Sequence, residues 1–368
     1  MHPEHTTSQE YALRLVFWEL TARCNLKCQH CRAEAMDDFA TGELTTAEIL
    51  RVAREIRQDA DPIMILTGGE PLARPDFFEI ADECCRLFTR VAMATNGTLV
   101  DDAIAQRIMR SGIQRVSISL DGSRPGTHDI FRGTPGSFEA ALHGFDALKR
   151  HGMSVQANVT ITKHNLAELE DIVTLLLERG ADAFHVFMLV PVGCGAEISE
   201  DTRLSPEQSE SVLEWLVEKS FELKDRIHIK ATCAPTYLRI MRQVAMRKGL
   251  QMPAGHGHGM SAVTRGCLAG SGVCFVSRIG EVQPCGYLPV VVGNVREKTL
   301  GEIWRDSEDF ANLRDVSTLT GKCGACGFKK LCQGCRARAY AKTGNYLDEE
   351  PDCVYLPPNF EASAKPSF

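Results

Sequence analysis

The chain has 368 residues, 44% hydrophobic and 24% charged, with a formal net charge of -7. That balance fits a globular protein with a large core and offers no basic footprint for nucleic acid and no cationic face for an anionic membrane. No apolar run approaches the ~20 residues of a membrane span, and the N-terminal MHPEHTTSQEYALRL lacks the basic-then-apolar order of a signal peptide, so a cytoplasmic protein is expected.

After a tail over residues 1–12, apolar runs alternate with amphipathic helical patterns. Strands are expected at Leu13–Leu20, Ile63–Thr67, Val91–Thr95, Gln114–Leu120, Ser154–Ile161 and Ala183–Leu189. Helices are expected at Thr45–Gln58, Pro75–Phe88, Asp101–Ser111, Ser137–Arg150 and Leu166–Arg179. Thr45 and Glu48 form a capping box, and Gly112, Gly152 and Gly180 stand where C-caps belong. Near-continuous apolar strands alternating with helices mean a parallel sheet covered by helices. Six such units fall short of the eight that close a barrel, so residues 13–192 are expected to form an open α/β partial barrel, (β/α)6. A helical connecting region, 193–263, should hold a helix capped at Ser205, a short strand at Ile227–Lys230, a helix at Pro235–Lys248 and a Gly/His loop, PAGHGHGM. From 264 to 368 cysteine and glycine dominate, and metal clusters are expected to hold that region together.

In a reducing compartment, 15 cysteines are metal ligands or redox groups before they are disulfides. Cys84, Cys85, Cys194 and Cys233 are scattered and read as small buried hydrophobes. Cys24, Cys28 and Cys31 follow the first strand with spacing C-x3-C-x2-C, at the strand end where barrel active sites lie. Three thiolates can anchor three irons of a cubane and leave the fourth open. A zinc site with His30 as fourth ligand is the alternative, with strained geometry. Eight more cysteines lie between Cys267 and Cys353, enough for two fully ligated cubanes or for two zinc sites.

The first cysteine triad, with TGGEP at Thr67–Pro71 after the second strand, resembles the radical S-adenosylmethionine (SAM) superfamily. That resemblance implies a [4Fe–4S] cluster on Cys24, Cys28 and Cys31 that cleaves SAM. It places Gly68, Gly69 and Glu70 at the methionine amino group, and Asn96, Ser119, Asn158 and Leu189 at strand ends near the nucleoside. It also gives Arg132 to the SAM carboxylate. The C-terminal cysteines resemble the SPASM auxiliary-cluster extension, which implies two more [4Fe–4S] clusters. Cys267, Cys274, Cys285 and Cys335 would bind the one nearer the barrel, and Cys323, Cys326, Cys332 and Cys353 the distal one. One departure is that two residues, not the pattern's three, separate Cys332 from Cys335.

Within the superfamily, TARCNLKCQHCRAEA, KATCAPTYLR, RGCLAGSGVCFVS and CRARAYAKTGNYLDEEP resemble the haem-forming, tetrapyrrole-modifying branch. This implies oxidative decarboxylation of two propionates of iron-coproporphyrin III to vinyl groups, with a low-potential electron donor and an electron acceptor as partners. Lys230, Arg239 and Arg265 are candidate propionate partners, and His256, His258 or Cys233 candidate axial ligands to the porphyrin iron. A SPASM-type peptide-modifying enzyme, another tetrapyrrole enzyme and an iron–sulfur electron carrier are the alternatives.

Overall fold

The computed structural model describes residues 11–198, 200–249, 266–358 and 360. Its first half follows the β/α rhythm of the sequence. Strands β1 (Leu15–Glu19), β2 (Ile63–Thr67), β3 (Val91–Thr95), β4 (Arg115–Ser119), β5 (Ser154–Ile161) and β6 (Ala183–Met188) pair in order and in parallel. Between them run α1 (Thr46–Asp59), α2 (Phe77–Leu87), α3 (Asp102–Ser111), α4 (Pro125–Arg132), α5 (Ser137–Arg150) and α6 (Leu169–Glu178). The Thr45 capping box is formed, and Gly112 closes α3 at φ 89, a left-handed conformation that glycine adopts without a Cβ penalty.

Helix α4 has no counterpart in the expected elements. Its eight residues are too few to show a clear apolar period, but Pro125 opens it and Gly133 ends it at φ 65. A Cβ on Gly133 would stand 2.2 Å from the Lys27 carbonyl oxygen, so α4 ends in close contact with the first cysteine loop.

The sheet runs further than the six expected units. After α7 (Pro206–Glu222), capped by Ser205 as its sequence indicates, β7 (His228–Thr232) joins β6 in parallel and leads to α8 (Tyr237–Lys248). Residues expected to form a separate cysteine-rich domain supply β8 (Val273–Val276), which pairs in parallel with β1. Then β9 (Glu281–Gln283) and β10 (Gly293–Asn294) extend that edge antiparallel, giving an open ten-stranded sheet. More than the expected metal clusters holds this region. Leu288, Val295, Leu300, Ile303, Phe310 and Leu313, several on α9 (Leu300–Asp306) and α10 (Glu308–Arg314), are buried in the same apolar core as Val16 and Trp18. Only the stretch after Leu319, with α11 (Gly321–Ala325) and α12 (Arg336–Thr343), is poor in such contacts.

Strand alternation sends one set of side chains out to the helices and the other inward. On β5 the inward set includes Asn158 and Thr160; on β6 it includes Phe187, and on β7 Lys230. Together they line a cavity of about 1930 Å³ that reaches from the strand starts to their C-terminal ends.

Candidate active site and cluster-binding sites

The first cysteine loop is held by backbone pairing on both sides. Gly69 and Glu70 donate their N–H groups to the Thr21 and Arg23 carbonyls at 2.7 and 2.8 Å, and Cys24 pairs with Met36 at 2.8 Å. Cys24, Cys28 and Cys31 all line the cavity at the mouth of the barrel. Each sulfur has a donor beside it: Leu26 N–H at 3.4 Å for Cys24, Ala35 N–H at 3.5 Å for Cys31, and Arg132 Nη1 at 3.6 Å for Cys28. Donors aimed at sulfur stabilise thiolate, the form that binds iron, and tune a cluster's potential. Burial works the other way, pushing the Cys24 thiol up to about 11, so the site suits sulfurs whose charge a metal shares. These three sulfurs and their donors fit an open-site cubane.

Gly68 and Gly69 both line the cavity, and Gly69 has a packing role as well. A Cβ on Gly69 would meet the Ala22 and Arg23 carbonyl oxygens at 2.5 and 2.6 Å, so the residue exists to let TGGEP pack on the cysteine loop. Gly69→Ala is therefore expected to cost roughly 1–3 kcal/mol through overpacking and to weaken SAM binding. Gly126→Ala, where nothing lies within 4 Å of the added Cβ, should be near neutral. Denaturant unfolding and SAM binding measured on both variants check this.

Gly68, Gly69, Asn96, Ser119, Arg132 and Asn158 share the cavity wall with the three cysteines; Glu70 and Leu189 do not. Glu70 is fully buried and accepts hydrogen bonds from Thr95 Oγ1 at 2.8 Å, Asn96 N–H at 2.8 Å and Leu72 N–H at 3.1 Å. Burial raises its carboxyl to about 7 against those donors. Asn96 in turn bonds Asn25 Oδ1 at 2.9 Å, with its amide 3.8 Å from the Cys24 sulfur, so Glu70 braces the third strand end against the cysteine loop.

Arg132 is already committed on one side. Its Nη2 pairs at 2.6 Å with Asp121, which is fully buried; His30 Nε2 stands 3.3 Å from the same carboxylate and stacks on Phe131. Burial pushes Asp121 up, but Arg132, His30, His128 and the Thr160 N–H outweigh it and hold the carboxyl below its usual range. Burial lowers His30 to about 4, which leaves a neutral imidazole packed beneath the loop.

At the other side of the mouth, Cys267, Cys285 and Cys335 line the cavity, and Cys233 lines it with them. Burial pushes the Cys233 thiol well up, and the neighbouring thiols of Cys335, Cys285 and Cys267 push the same way against Arg338. Cys274 is elsewhere: it sits on β8 opposite Val16, fully buried in the apolar core, and does not face the cavity. Tyr287, which no sequence motif singles out, also lines the cavity, beside Arg32 and the thiols of Cys31, Cys233 and Cys285.

Cys323, Cys326, Cys332 and Cys353 group behind this wall. Glu350 N–H lies 3.3 Å from the Cys323 sulfur, Phe328 N–H 3.4 Å from Cys326, Gly334 N–H 3.4 Å from Cys332 and Arg239 Nη2 4.0 Å from Cys353. The shortened spacing between Cys332 and Cys335 is a turn with both intervening residues left-handed, Gln333 at φ 67 and Gly334 at φ 68. The turn separates the pair: Cys332 neighbours Cys353 and Cys323, whereas Cys335 neighbours Cys267. Between the groups, buried Arg338 pairs with buried Glu350 at 2.9 Å, and Arg336 Nη2 reaches the Cys323 sulfur at 3.7 Å.

Of the cationic candidates, Lys230 lines the cavity, with its ammonium pulled down by burial and no anionic partner among the described residues. Arg239 does not serve as a free cation; it is buried, paired with Glu210 at 2.6 Å and outside the cavity. His256, His258 and Arg265 lie outside the described residues. Among the described residues no helix is long and apolar enough to cross a membrane.

The radical SAM superfamily profile matches residues 18–176, and the SPASM profile, an iron–sulfur cluster-binding domain, matches residues 267–336. A protein named AdoMet-dependent heme synthase from Methanosarcina barkeri (strain Fusaro) is 50% identical over 346 residues, 94% of this chain and 97% of its own length. One of the same name from Nitratidesulfovibrio vulgaris is 45% identical, covering 94% of this chain and 93% of its own. The structure of Streptococcus suis SuiB bound to precursor peptide SuiA superposes with a TM-score of 0.73 at 18% identity, over 94% of this chain and 76% of that one; at that identity the likeness is one of fold.

Proposed function

This chain belongs to the radical SAM superfamily and carries its SPASM extension, and from that premise we propose that it converts iron-coproporphyrin III to haem b. The reading is carried by 50% identity over nearly the full length of an AdoMet-dependent heme synthase. The peptide-bound SuiB structure is alike in fold at 18% identity and supports the peptide-modifying alternative less, and an electron carrier has no use for a SAM site. In each of two steps a propionate becomes a vinyl group, giving up CO2, one hydrogen atom and one electron.

When bound, SAM and the cluster on Cys24, Cys28 and Cys31 supply the radical that takes the hydrogen from the propionate β-carbon. The chain's own residues hold and orient. The wall formed by Gly68, Asn96, Ser119, Arg132 and Asn158 takes SAM, with Glu70 setting the wall's shape from behind and Leu189 outside it. Arg132 holds the loop sulfur Cys28 on one side and is itself fixed by Asp121. The cavity exceeds the roughly 300–1,000 Å³ of an ordinary small-molecule pocket, which suits a tetrapyrrole beside a nucleoside. Cys267, Cys285 and Cys335 line the same cavity, which supports an electron exit from the substrate through an auxiliary cluster. A low-potential donor and an electron acceptor complete the cycle, and a reducing cytoplasm suits all of these thiols.

Lys230, a buried cation on the cavity wall with no anionic partner among the described residues, fits a propionate. Lys230→Met should raise KM for iron-coproporphyrin III about tenfold or more, as loss of a charge-assisted hydrogen bond of roughly 1.5–3 kcal/mol implies, and should lower kcat much less. Steady-state haem formation over a range of porphyrin concentrations checks that split.

The function itself is tested by incubating anaerobically reconstituted protein with SAM, a reductant and iron-coproporphyrin III. The expected product has lost two CO2 and four hydrogens and shows the absorbance of haem b. SAM cleavage with the porphyrin mass unchanged would overturn the assignment.

A further inference from the structure

We propose that Cys233 is the fourth protein ligand of the auxiliary cluster nearer the barrel, beside Cys267, Cys285 and Cys335, and that Cys274 is a core residue outside it. The inference rests on the reading that the C-terminal cysteines hold iron–sulfur clusters.

The case against Cys274 is one of strand parity. Successive residues of β8 face opposite sides. Val273 and Phe275 line the cavity, while Cys274 and Val276 are both 0% exposed on the core side. The pairing of β8 with β1 fixes this, with Val273 opposite Leu15 and Cys274 opposite Val16. Bringing Cys274 round would need a one-residue slip that moves every β8 side chain to the wrong face.

Cys233 has the reverse placement. It follows the last residue of β7, at the C-terminal strand end where the barrel's functional groups gather. It shares the cavity wall with Cys267, Cys285 and Cys335. Its backbone is left-handed at φ 54, a conformation that costs a non-glycine residue about 1–2 kcal/mol and persists where the surroundings fix it. Here they do so through another member of the group. Arg338 Nη1 donates to the Cys233 carbonyl at 2.8 Å, Arg338 pairs with Glu350, and Glu350 accepts the N–H of Cys335. One buried ion pair thus ties the backbone of Cys233 to that of Cys335. On cluster assembly the Cys233 S–H proton leaves to solvent and an Fe–S bond takes its place, giving four thiolates with no open iron.

The test counts auxiliary iron alone, in full-length chain with Cys24, Cys28 and Cys31 all changed to Ala, reconstituted anaerobically. About eight irons are expected, four in each of two cubanes. Adding Cys274→Ala should leave the iron, the sulfide and the electron paramagnetic resonance (EPR) spectrum of the reduced protein unchanged; Cys274→Val, which keeps the core filled, replaces it if the alanine variant is insoluble. Adding Cys233→Ala should remove up to four irons or convert one cluster to a three-iron form, and Cys233→Ser should shift the EPR signal of one cluster. An unaltered spectrum and iron count in both Cys233 variants overturns the proposal, whatever Cys274 does. Absence of iron in the background chain itself would instead overturn the cluster reading on which it rests.

Discussion

Changing any one of Cys24, Cys28 and Cys31 to Ala is expected to abolish 5′-deoxyadenosine formation, down to the level of reductant without protein. The three are not interchangeable with neighbours, because each sits at a fixed place in one loop. Cys24 pairs with Met36 through its backbone, Cys28 receives Arg132, and Cys31 accepts from Ala35 while its carbonyl takes the Cys194 N–H at 3.0 Å. A cubane keeping two protein thiolates is poorly held, and no fourth cysteine of the loop can substitute. Cys194 neighbours Cys31 but is a half-buried residue of a separate turn, Gly193–Ala196, outside the cavity lining. The control is Cys85→Ala, on α2 away from the cavity, which should retain SAM cleavage. Chromatographic quantitation of 5′-deoxyadenosine with iron-quantified protein is the measurement. Wild-type yield from any one of the three alanine variants would remove that cysteine from the site.

What could be read from the sequence, and what could not, divides along physical lines. The six central strands are legible because each is an apolar run and amphipathic helices separate them, so the signal is local. The outer strands are not: β7 reads as an isolated short strand and β8 as part of a cysteine-rich tract, since their partners β6 and β1 are fixed only by tertiary pairing. The cysteine triad and TGGEP are legible because the chemistry demands those residues in a short span. The SPASM resemblance assigns Cys274 to a cluster, and Val-Cys-Phe-Val, apolar throughout, carries no alternation to show that this residue faces the core rather than the cavity. Cys233 stands 34 residues before Cys267, outside any local pattern, and reaches the others only through the β7 turn. Glu70 shows the same limit at one residue: the resemblance places it at the methionine amino group, whereas the folded hydrogen bonds from Thr95, Asn96 and Leu72 turn its carboxylate to the third strand end, outside the cavity lining.

Cys323→Ala combined with Cys326→Ala is expected to abolish haem formation while leaving substantial, uncoupled 5′-deoxyadenosine formation. The distal thiols do not line the cavity, so they cannot touch SAM or the porphyrin. They stand next to the barrel-side group through the two-residue turn from Cys332 to Cys335 and the buried Arg338–Glu350 pair. Removing a hydrogen atom from the propionate requires only SAM cleavage at the first cysteine loop. Completing the vinyl group requires a further electron to leave, and the auxiliary thiols offer the route away from the substrate. A purely structural role for the distal cluster predicts something else, because the stretch after Leu319 has few core contacts and metal binding would then set its folding. In that case the double variant loses soluble protein, and whatever remains soluble makes both products at matched, reduced levels. Measuring 5′-deoxyadenosine and haem together on soluble, iron-quantified variant separates the two: a ratio strongly shifted toward 5′-deoxyadenosine supports electron exit, and haem formed at the wild-type rate per mole of protein eliminates it.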